Sequence, residues 1–352
     1  MTDLECAAAR KTCVLFDHSA ALSPDRAEGA AALESVGFKG LGGIIEVSGN
    51  DRISFLHNIL TNDIKSLSPG KGIPACLLNA QAKIIAPINV LCFDQFLWLA
   101  FDYPLKNKLF EAINKLIITE EVELKDKSDE LKLISIHGPK ANGLLKALFK
   151  KEPPSKMLSH ERAAIDSISA VLIRINLTGE IGYGLLAPKS EASAVKLAIE
   201  RIGASFDLTE IHSDALETLR IEAGIPRYGI DFDESHIPLE VRLDQTISFT
   251  KGCFPGQEII ARLDARGGVV KKLVGLVLKG EMAPQKNARI LKDGMEVGSI
   301  TSAVFSPTLK KLIALGFLKK ECWTSGTDLT VEREGLQIPA HAASLPFYTP
   351  VR

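Results

Sequence analysis

The residues best suited to chemistry are concentrated in one short segment. It reads Lys251-Gly252-Cys253-Phe254-Pro255-Gly256-Gln257-Glu258, and Arg262 follows four residues later. The glycines and the proline predict a tight loop, after which the chain from Gln257 to Leu263 has a helical pattern. Cys253 would then lie just before a helix start and beside Lys251, and both the helix dipole and the cation favour a thiolate.

This signature segment, Lys251 to Arg262, is open to two interpretations. A reactive or ligand-donating thiol at Cys253 is one, and a small buried cysteine in a packed turn is the other. Glu258 and Arg262 are four residues apart, so they also fit an ordinary ion pair on a helix surface.

Two other segments place charged groups where a ligand could meet them. Glu180 lies in Leu177–Gly184, a glycine-rich turn between two predicted strands, and strand ends are common places for ligand sites. A carboxylate there suits the paired N–H and amino donors of a pterin ring, although a hairpin with a solvated glutamate is the alternative. Arg220 lies in Leu219–Pro226 and could project from a helix toward a ligand carboxylate, or be a surface arginine.

The scaffold behind these segments is predicted to mix helices and strands. From residue 41 to 268 the chain alternates the two patterns, which predicts an α+β region of two modules. The helix that carries Arg220 is predicted to begin at Ser213 or Asp214, where Glu217 would complete a capping box. The predicted strands include Phe96–Phe101, Leu131–Ile136 and Val171–Leu177.

The two flanking regions differ from this scaffold in their pattern of predicted helices and strands. Residues 1–40 form a lead-in, with a short helix predicted over Asp25–Val36. Past residue 268, short strand-like runs are separated by hairpin-type turns such as Lys292-Asp293-Gly294. That pattern predicts a small β-barrel over residues 269–352.

Composition and charge exclude several classes of protein. The chain has 352 residues, 46% of them hydrophobic and 24% charged, which is enough for two or three domains with sizeable cores. Lys and Arg number 42 against 43 Asp and Glu, so the net charge of −1 does not favour a dedicated nucleic-acid or membrane-surface binder. The sequence has neither a signal-peptide pattern nor an apolar run long enough to span a membrane, so we expect a cytoplasmic protein.

The cysteines indicate neither disulfides nor a metal site. The chain has six, at positions 6, 13, 76, 92, 253 and 322, without a C-x-x-C motif or a tight Cys/His cluster. Disulfide frameworks and structural zinc sites normally have closely spaced ligands or a secretory context. We therefore expect reduced cysteines and no bound metal. Separately, we expect a monomeric chain.

Taken together and in this order, the segments resemble a known protein family. The run K-G-C-F-P-G-Q-E-x-x-x-R from Lys251 to Arg262 is similar to the hallmark of the YgfZ-type folate-binding proteins, whose mitochondrial relatives mature iron–sulfur clusters. The stretches Thr178–Gly184, Leu219–Pro226 and Thr61-Asn62-Asp63 resemble both that family and the aminomethyltransferases of glycine cleavage. The resemblance spans about residues 41 to 280.

The resemblance implies a compact ring of α+β modules around a central folate site, with a β-barrel appended. Tetrahydrofolate or a derivative is the implied cofactor. Its binding residues would be Glu180, Tyr183, Arg220 and Asn62, with Cys253 at the mouth of the site as a functional thiol. The implied function is that of a tetrahydrofolate-binding accessory protein for the assembly, repair or activity of iron–sulfur enzymes, including tRNA-modifying ones. Those enzymes or their assembly factors would be the protein partners.

The chain departs from the aminomethyltransferases in one predicted strand. They typically carry an aspartate pair there, one of which handles the amine chemistry, whereas this chain has Ala82-Lys83-Ile84-Ile85-Ala86-Pro87 without a carboxylate near Ala86. General acid–base catalysis needs a positioned proton acceptor, so this difference argues against classical aminomethyl transfer. A softer difference is Gly184, where the transferases usually have an acid or a polar residue. Two alternatives stay open: a tetrahydrofolate-dependent aminomethyltransferase or related one-carbon transferase, and a non-catalytic interaction module.

Overall fold

The computed structural model describes residues 1–18, 42–265, 267–280, 282–333 and 335–350. The helix expected over Asp25–Val36, and with it most of the expected lead-in, lies outside these residues. The helices are α1 (Thr2–Lys11), α2 (Arg52–Ile59), α3 (Lys106–Asn114), α4 (Ala141–Phe149), α5 (Ala192–Gly203), α6 (Ser213–Glu222) and α7 (Gln257–Ala265). The strands are β1 (Cys13–Asp17), β2 (Gly43–Ser48), β3 (Gly72–Leu78), β4 (Ile84–Cys92), β5 (Leu97–Phe101), β6 (Glu123–Asp126), β7 (Leu131–His137), β8 (His160–Ile165), β9 (Ile168–Ile175), β10 (Gly182–Pro188), β11 (Leu208–Glu210), β12 (Lys271–Leu278), β13 (Arg289–Lys292), β14 (Met295–Ser306), β15 (Lys311–Lys319), β16 (Asp328–Arg333) and β17 (Leu336–Ala343).

Three β-structures organise the described part of the chain. The first is a six-stranded sheet with the order β11-β1-β7-β10-β9-β8, and the second is a five-stranded sheet with the order β3-β4-β5-β2-β6. The third is a closed barrel with the order β12-β15-β14-β13-β16-β17. Together with the helices they confirm the predicted α+β fold with a C-terminal β-barrel.

One face of each sheet is covered by helices, because alternate residues of a strand point to the same face. Helices α4 and α5 cover the six-stranded sheet, where Leu144 and Val195 pack in one core with Leu185. Helices α2 and α3 cover the five-stranded sheet, and they contribute Leu56 and Leu109 to its core. The opposite face of each sheet is not covered by these four helices.

The two remaining faces pack against each other, except at β1, where Val14 and Phe16 pack against α1 and α6. Leu133 and Ile173 of the six-stranded sheet lie in one apolar cluster with Leu91 and Trp98 of the five-stranded sheet. The indole N–H of Trp98 donates to the carboxylate of Glu46 at 3.0 Å, which satisfies the one polar group of that side chain. The buried space between the sheets, called the inter-sheet layer below, is therefore built by both α+β modules.

The ends of the α+β region are tied to their neighbours. Strand β1 pairs in parallel with β11 and antiparallel with β7, so residues 1–18 contribute directly to the six-stranded sheet. At the other end, Phe254 and Ile260 of the signature segment share a core with Leu273 and Phe317 of the barrel. The signature segment thus lies where the barrel meets the modules.

Candidate functional site

Lys251 anchors the signature segment to helix α2. Its ammonium group donates to the carbonyl oxygens of His57 and Leu60, at the C-terminal end of that helix. The free carbonyl groups at a helix end carry partial negative charge and stabilise a cation. Burial nevertheless lowers the pKa of Lys251 to about 8. The cation is thus directed at the helix end, where it fixes the loop.

Gly256 and Phe254 fix the other side of the loop. Gly256 has φ +79°, and a Cβ atom there would lie 2.6 Å from the Cα atom of Ala82 in the β3–β4 turn. Only glycine fits such a position without strain. Phe254 is buried under the barrel, whereas the Cβ position of Gly252 has nothing within 4 Å. The loop conformation is therefore set by Phe254 and Gly256 more than by Gly252.

Cys253 is exposed between these anchors, while the other five cysteines are buried. Helix α7 begins at Gln257, as the sequence predicts, four residues after Cys253. Glu258 and Arg262 are exposed on that helix. The exposure of the thiol is as expected, and its functional role stays a prediction.

Glu180 lies in a buried ion-pair network. Arg10 of α1 bonds to Glu180 at 3.1 Å and to Glu222 of α6 at 2.6 Å. The ring of Tyr348 stacks on the Arg10 guanidinium, with 3.8 Å between the guanidinium carbon and the ring centroid. Glu222 also accepts a hydrogen bond from Ser306 of the barrel. This Arg10 network joins α1, the turn before β10, α6, the barrel and the C-terminal tail.

Arg220 is the centre of a second buried network. The side chain is 1% exposed, and its guanidinium lies 2.6 Å from the carboxylate of Asp231. It also bonds to Glu217, and to Ser302 of the barrel at 2.7 Å. This Arg220 network holds α6 against the barrel.

Glu217 belongs to the Arg220 network rather than to a capping box, so that expectation is wrong. The N-cap of α6 is His212 instead of Asp214, and it makes no side-chain cap hydrogen bond. The two carboxylate oxygens of Glu217 instead pair with Arg220 and, at 3.1 Å, with Arg227. Charge-assisted bonds to two guanidinium groups are stronger than a single bond to a backbone N–H.

Tyr183 and Asn62 are also held within the protein. The Tyr183 hydroxyl donates to the side-chain oxygen of Asn142 at 2.9 Å, and its ring lies on the helix-covered face of the six-stranded sheet. The Asn62 amide donates to the carbonyl oxygens of Pro74 and Gln245 at 2.8 and 3.0 Å. Folate binding by Glu180, Tyr183, Arg220 and Asn62 stays a prediction.

The inter-sheet layer contains polar groups that the sequence analysis did not single out. On the six-stranded sheet they are His18, Ser135 and His137, called the polar patch below. Ser135 and His137 alternate along β7 with Ile134 and Ile136 of the helix-covered core, so they point into the layer. The Nε2 atom of His18 lies 2.9 Å from the hydroxyl of Ser135.

His137 has no hydrogen-bond partner among the described residues. Its side chain is fully buried, and neither ring nitrogen is bonded. The ring lies over Gly182, where a Cβ atom would be 2.2 Å from Nδ1. Burial lowers the pKa of both His137 and His18 to about 3, so both rings are neutral at physiological pH. Unpaired buried polar groups are rare and costly, and one in a native protein calls for an explanation such as a ligand or a bound water.

A narrow apolar cavity adjoins the polar patch in the same layer. It is lined by Asn89, Leu91, Ala100, Leu133, Leu158, Ile173, Ile175 and Leu186. Ile175 is the register partner of Gly182, and Leu133 lies two residues before Ser135 on the same strand face. Asn89 adds one amide to this otherwise apolar lining.

Asp102 lies directly after β5, on the face of the five-stranded sheet that is turned to the layer. Phe101 belongs to the helix-covered core and Ala100 to the inter-sheet cluster, and Asp102 continues the extended backbone. Burial raises the pKa of Asp102, and the positive charge of Arg227 opposes this rise. Arg227 also acts on His18, where it adds to the lowering of the pKa by burial. The end of β1, the end of β5 and the segment after α6 therefore converge on one space.

Sequence signals for this cluster existed in part. Asp102 and His137 each directly follow a predicted strand, the same argument that singled out Glu180. Arg227 follows the proline that ends its helix. His18 could not be found in this way, because the residues before it were not recognised as a strand.

Two further properties of the described residues bear on the site. No group of three or more His, Cys, Asp or Glu side chains among them is arranged to hold a metal ion. None of the helices described above is long and apolar enough to cross a membrane.

The fold defines a class of protein in which two α+β modules pack against each other across a buried layer and carry a β-barrel. The same fold is present in the crystal structure of the glycine cleavage system aminomethyltransferase T from Bartonella henselae. The two structures superpose with a TM-score of 0.84 at 21% identity, over 99% of this chain and 90% of that one.

Sequence comparison gives the family. Residues 38–251 match the GCVT N-terminal domain, and residues 271–349 match the glycine cleavage T-protein C-terminal barrel domain. The aminomethyltransferases of Thermotoga neapolitana and Natranaerobius thermophilus are 30% and 31% identical, each over 87% of this chain and 84% of the relative. The chain therefore belongs to the glycine-cleavage T-protein family. That part of the resemblance is confirmed, and the YgfZ-type branch stays a prediction.

Proposed function

We propose that the chain binds a tetrahydrofolate in the inter-sheet layer and uses it to accept a one-carbon unit from an amine donor. Its similarity to proteins named aminomethyltransferase supports both halves of this proposal. The observation that carries it is the buried ring of His137, neither of whose nitrogens has a hydrogen-bond partner among the described residues.

The groups in the layer suit a reduced pterin. A pterin ring is flat and uncharged, and it has hydrogen-bond donors and acceptors along its edge. A neutral His137 donates through one ring nitrogen and accepts through the other, and the Ser135 hydroxyl can do both. Leu133 and Ile175, which lie beside the polar patch, would supply apolar contacts to the faces of such a ring. Bound ligand would also relieve the cost of leaving His137 unpaired.

The two arginine networks support the site from outside it. Glu180 is bonded to Arg10, and Arg220 to Asp231, so a ligand would reach these side chains only by displacing their partners. We infer that the networks fix α6 against the barrel. Arg227, just past that helix and paired with Glu217, is thereby held beside the layer.

Calorimetric titration with tetrahydrofolate tests the binding half of the proposal. Stoichiometric binding supports it, and no binding refutes it. A folate fragment without the pterin, p-aminobenzoylglutamate, serves as the control ligand and should bind far more weakly. The transfer half is tested by formation of methylene-tetrahydrofolate from an aminomethyl donor on a lipoyl carrier.

A matched pair of variants locates the ligand. His137→Phe keeps the size of the ring and removes both nitrogens, so tetrahydrofolate affinity should fall by roughly 10- to 100-fold. His341→Phe alters an exposed histidine of the barrel and should leave the affinity unchanged. Equal affinities for the two variants would place the ligand away from the polar patch.

We further propose an accessory role for iron–sulfur enzymes as the second candidate function. It is supported by the similarity of the signature segment to the YgfZ-type hallmark and by the exposed thiol of Cys253. A deletion strain complemented with wild type or with Cys253→Ala tests it through the activities of iron–sulfur enzymes. Full rescue by Cys253→Ala would remove the thiol from this role.

A further inference from the structure

We propose that Asp102 is the proton-transferring carboxylate of this protein, in place of the one that β4 lacks. The proposal rests on the proposed function and adds a catalytic residue to it. In the strand where the family resemblance implies an aspartate pair, this chain has Ala86 and Pro87. Asp102, directly after the neighbouring strand β5, supplies the carboxylate that β4 lacks.

The pairing of β4 with β5 brings Asp102 to the required place. In this antiparallel pair Asn89 lies opposite Ala100. Continuing the register by two residues places Asp102 opposite Pro87. Directly opposite residues on antiparallel strands have Cα atoms about 4.5 to 5.5 Å apart, so a carboxylate on either strand can serve the same site.

Asp102 and Pro87 are also on the same face of the sheet. Ala86 and Ile88 lie in the helix-covered core, so Pro87 between them is turned toward the inter-sheet layer. Phe101 lies in the same core, so Asp102 beside it is turned toward the layer as well. A carboxylate at position 87 or 102 would therefore meet the polar patch, whereas one at position 86 would point into the core.

The surroundings of Asp102 suit proton transfer. Its side chain is half-buried, and the effects of burial and of Arg227 on its pKa oppose each other. Because the net effect raises the pKa, this carboxyl group holds its proton more readily than a free one, which suits a proton donor. On the facing sheet, His18 and His137 remain neutral, so neither presents a charge that would fix Asp102 in its ionised form.

The transfer balances with Asp102 as the proton carrier. An aminomethyl group on a thiol, S–CH2–NH2, loses its C–S and C–N bonds and gains two C–N bonds to N5 and N10 of tetrahydrofolate. The two protons displaced from N5 and N10 leave with the thiol and with ammonia, and no electrons are gained or lost overall. The protonated Asp102 gives its proton to the departing amine, and its carboxylate then takes one from a folate nitrogen.

Three variants test this assignment. Asp102→Asn removes the titrating group with little change in shape, so tetrahydrofolate should still bind while turnover falls by roughly 10²- to 10⁴-fold. Adding Pro87→Asp to Asp102→Asn returns a carboxylate to the same site from β4. That double variant should recover at least about tenfold in turnover and show a shifted pH–rate profile. Asp94→Asn, an exposed carboxylate before the other end of β5, is the matched control and should behave as wild type.

The outcomes separate this assignment from the proposed function. Wild type that does not bind tetrahydrofolate removes the proposed function, and the role of Asp102 falls with it. If the wild-type protein transfers the one-carbon unit and Asp102→Asn does so at the same rate, only the role of Asp102 is refuted. Wild type that binds tetrahydrofolate but transfers no one-carbon unit refutes the transfer half of the proposed function, and the role of Asp102 falls with that half.

Discussion

Replacing His137 by phenylalanine should stabilise the protein, and the gain should grow as the pH falls. In the folded chain the imidazole is buried without a hydrogen-bond partner among the described residues. An apolar ring of similar shape removes that unpaired group, which typically costs about 1 to 3 kcal/mol. The variant is therefore expected to exceed wild type in stability already at neutral pH.

The pH-dependent part of the gain follows from the pKa of His137. Burial lowers it to about 3 in the folded chain, against 6.5 for the free group. Between these two values the unfolded chain binds a proton that the folded chain does not, so folded stability is lost as the pH falls below 6.5. At about pH 5 the loss reaches about 2 kcal/mol, since each pKa unit is worth about 1.4 kcal/mol.

Urea unfolding at about pH 7.5 and about pH 5 measures both parts. Trp98 lies in the inter-sheet cluster and provides a fluorescence signal from the relevant region. The stability difference between His137→Phe and wild type should widen by about 2 kcal/mol at the lower pH. His341→Phe, at an exposed position, should show no such widening. If the two variants have the same pH dependence, His137 is charged or paired in the folded chain and the argument is wrong.

Three further predictions concern the supports of the site. Arg10→Ala leaves two buried carboxylates without their cation, so it should lower the free energy of unfolding in urea by about 3 to 5 kcal/mol. The control Arg289→Ala removes a half-exposed ion pair and should lower it by only about 0 to 1 kcal/mol. Gly256→Ala should lower the melting temperature because of its positive φ and the close Ala82 backbone, whereas Gly252→Ala should not. Cys253 should be the one cysteine that reacts with a thiol reagent in the native state, and Cys253→Ala should melt as wild type does, because the side chain is exposed.

The sequence predicts the fold well because the fold depends on local patterns. Helix α7 begins at Gln257 as predicted, since a glycine–proline turn followed by a helical pattern is a local signal. The barrel likewise follows from short strands and hairpin turns. The prediction of a capping box at Asp214 was wrong because Glu217 forms ion pairs with Arg220 and Arg227 instead. The pair with Arg227 depends on the chain folding back after α6, which the local sequence does not indicate.

The site was harder to predict because its parts are distant in sequence. Nothing local indicates that the end of β1 meets the end of β5, or that Asp102 lies opposite Pro87. Arg220 shows the same difficulty, because one of its partners, Ser302 of the barrel, is 82 residues away in the sequence. Its guanidinium is 1% exposed and bonded to Asp231, which no periodicity in the sequence could reveal.

The stacking of Tyr348 on Arg10 has a consequence for how the protein is made in the cell. Arg10 and Tyr348 are separated along the chain by the α+β region and the barrel, so their contact forms only after the entire barrel has been synthesised. The backbone N–H groups of Phe347 and Tyr348 then complete the joint by donating to the carbonyl oxygen of Glu222 at 3.0 Å. The Arg10 network is therefore completed later in synthesis than the sheet that contains β1. Until then Arg10 and its two carboxylate partners lack the covering ring, so the intermediate has a partly exposed charged network beside a formed sheet.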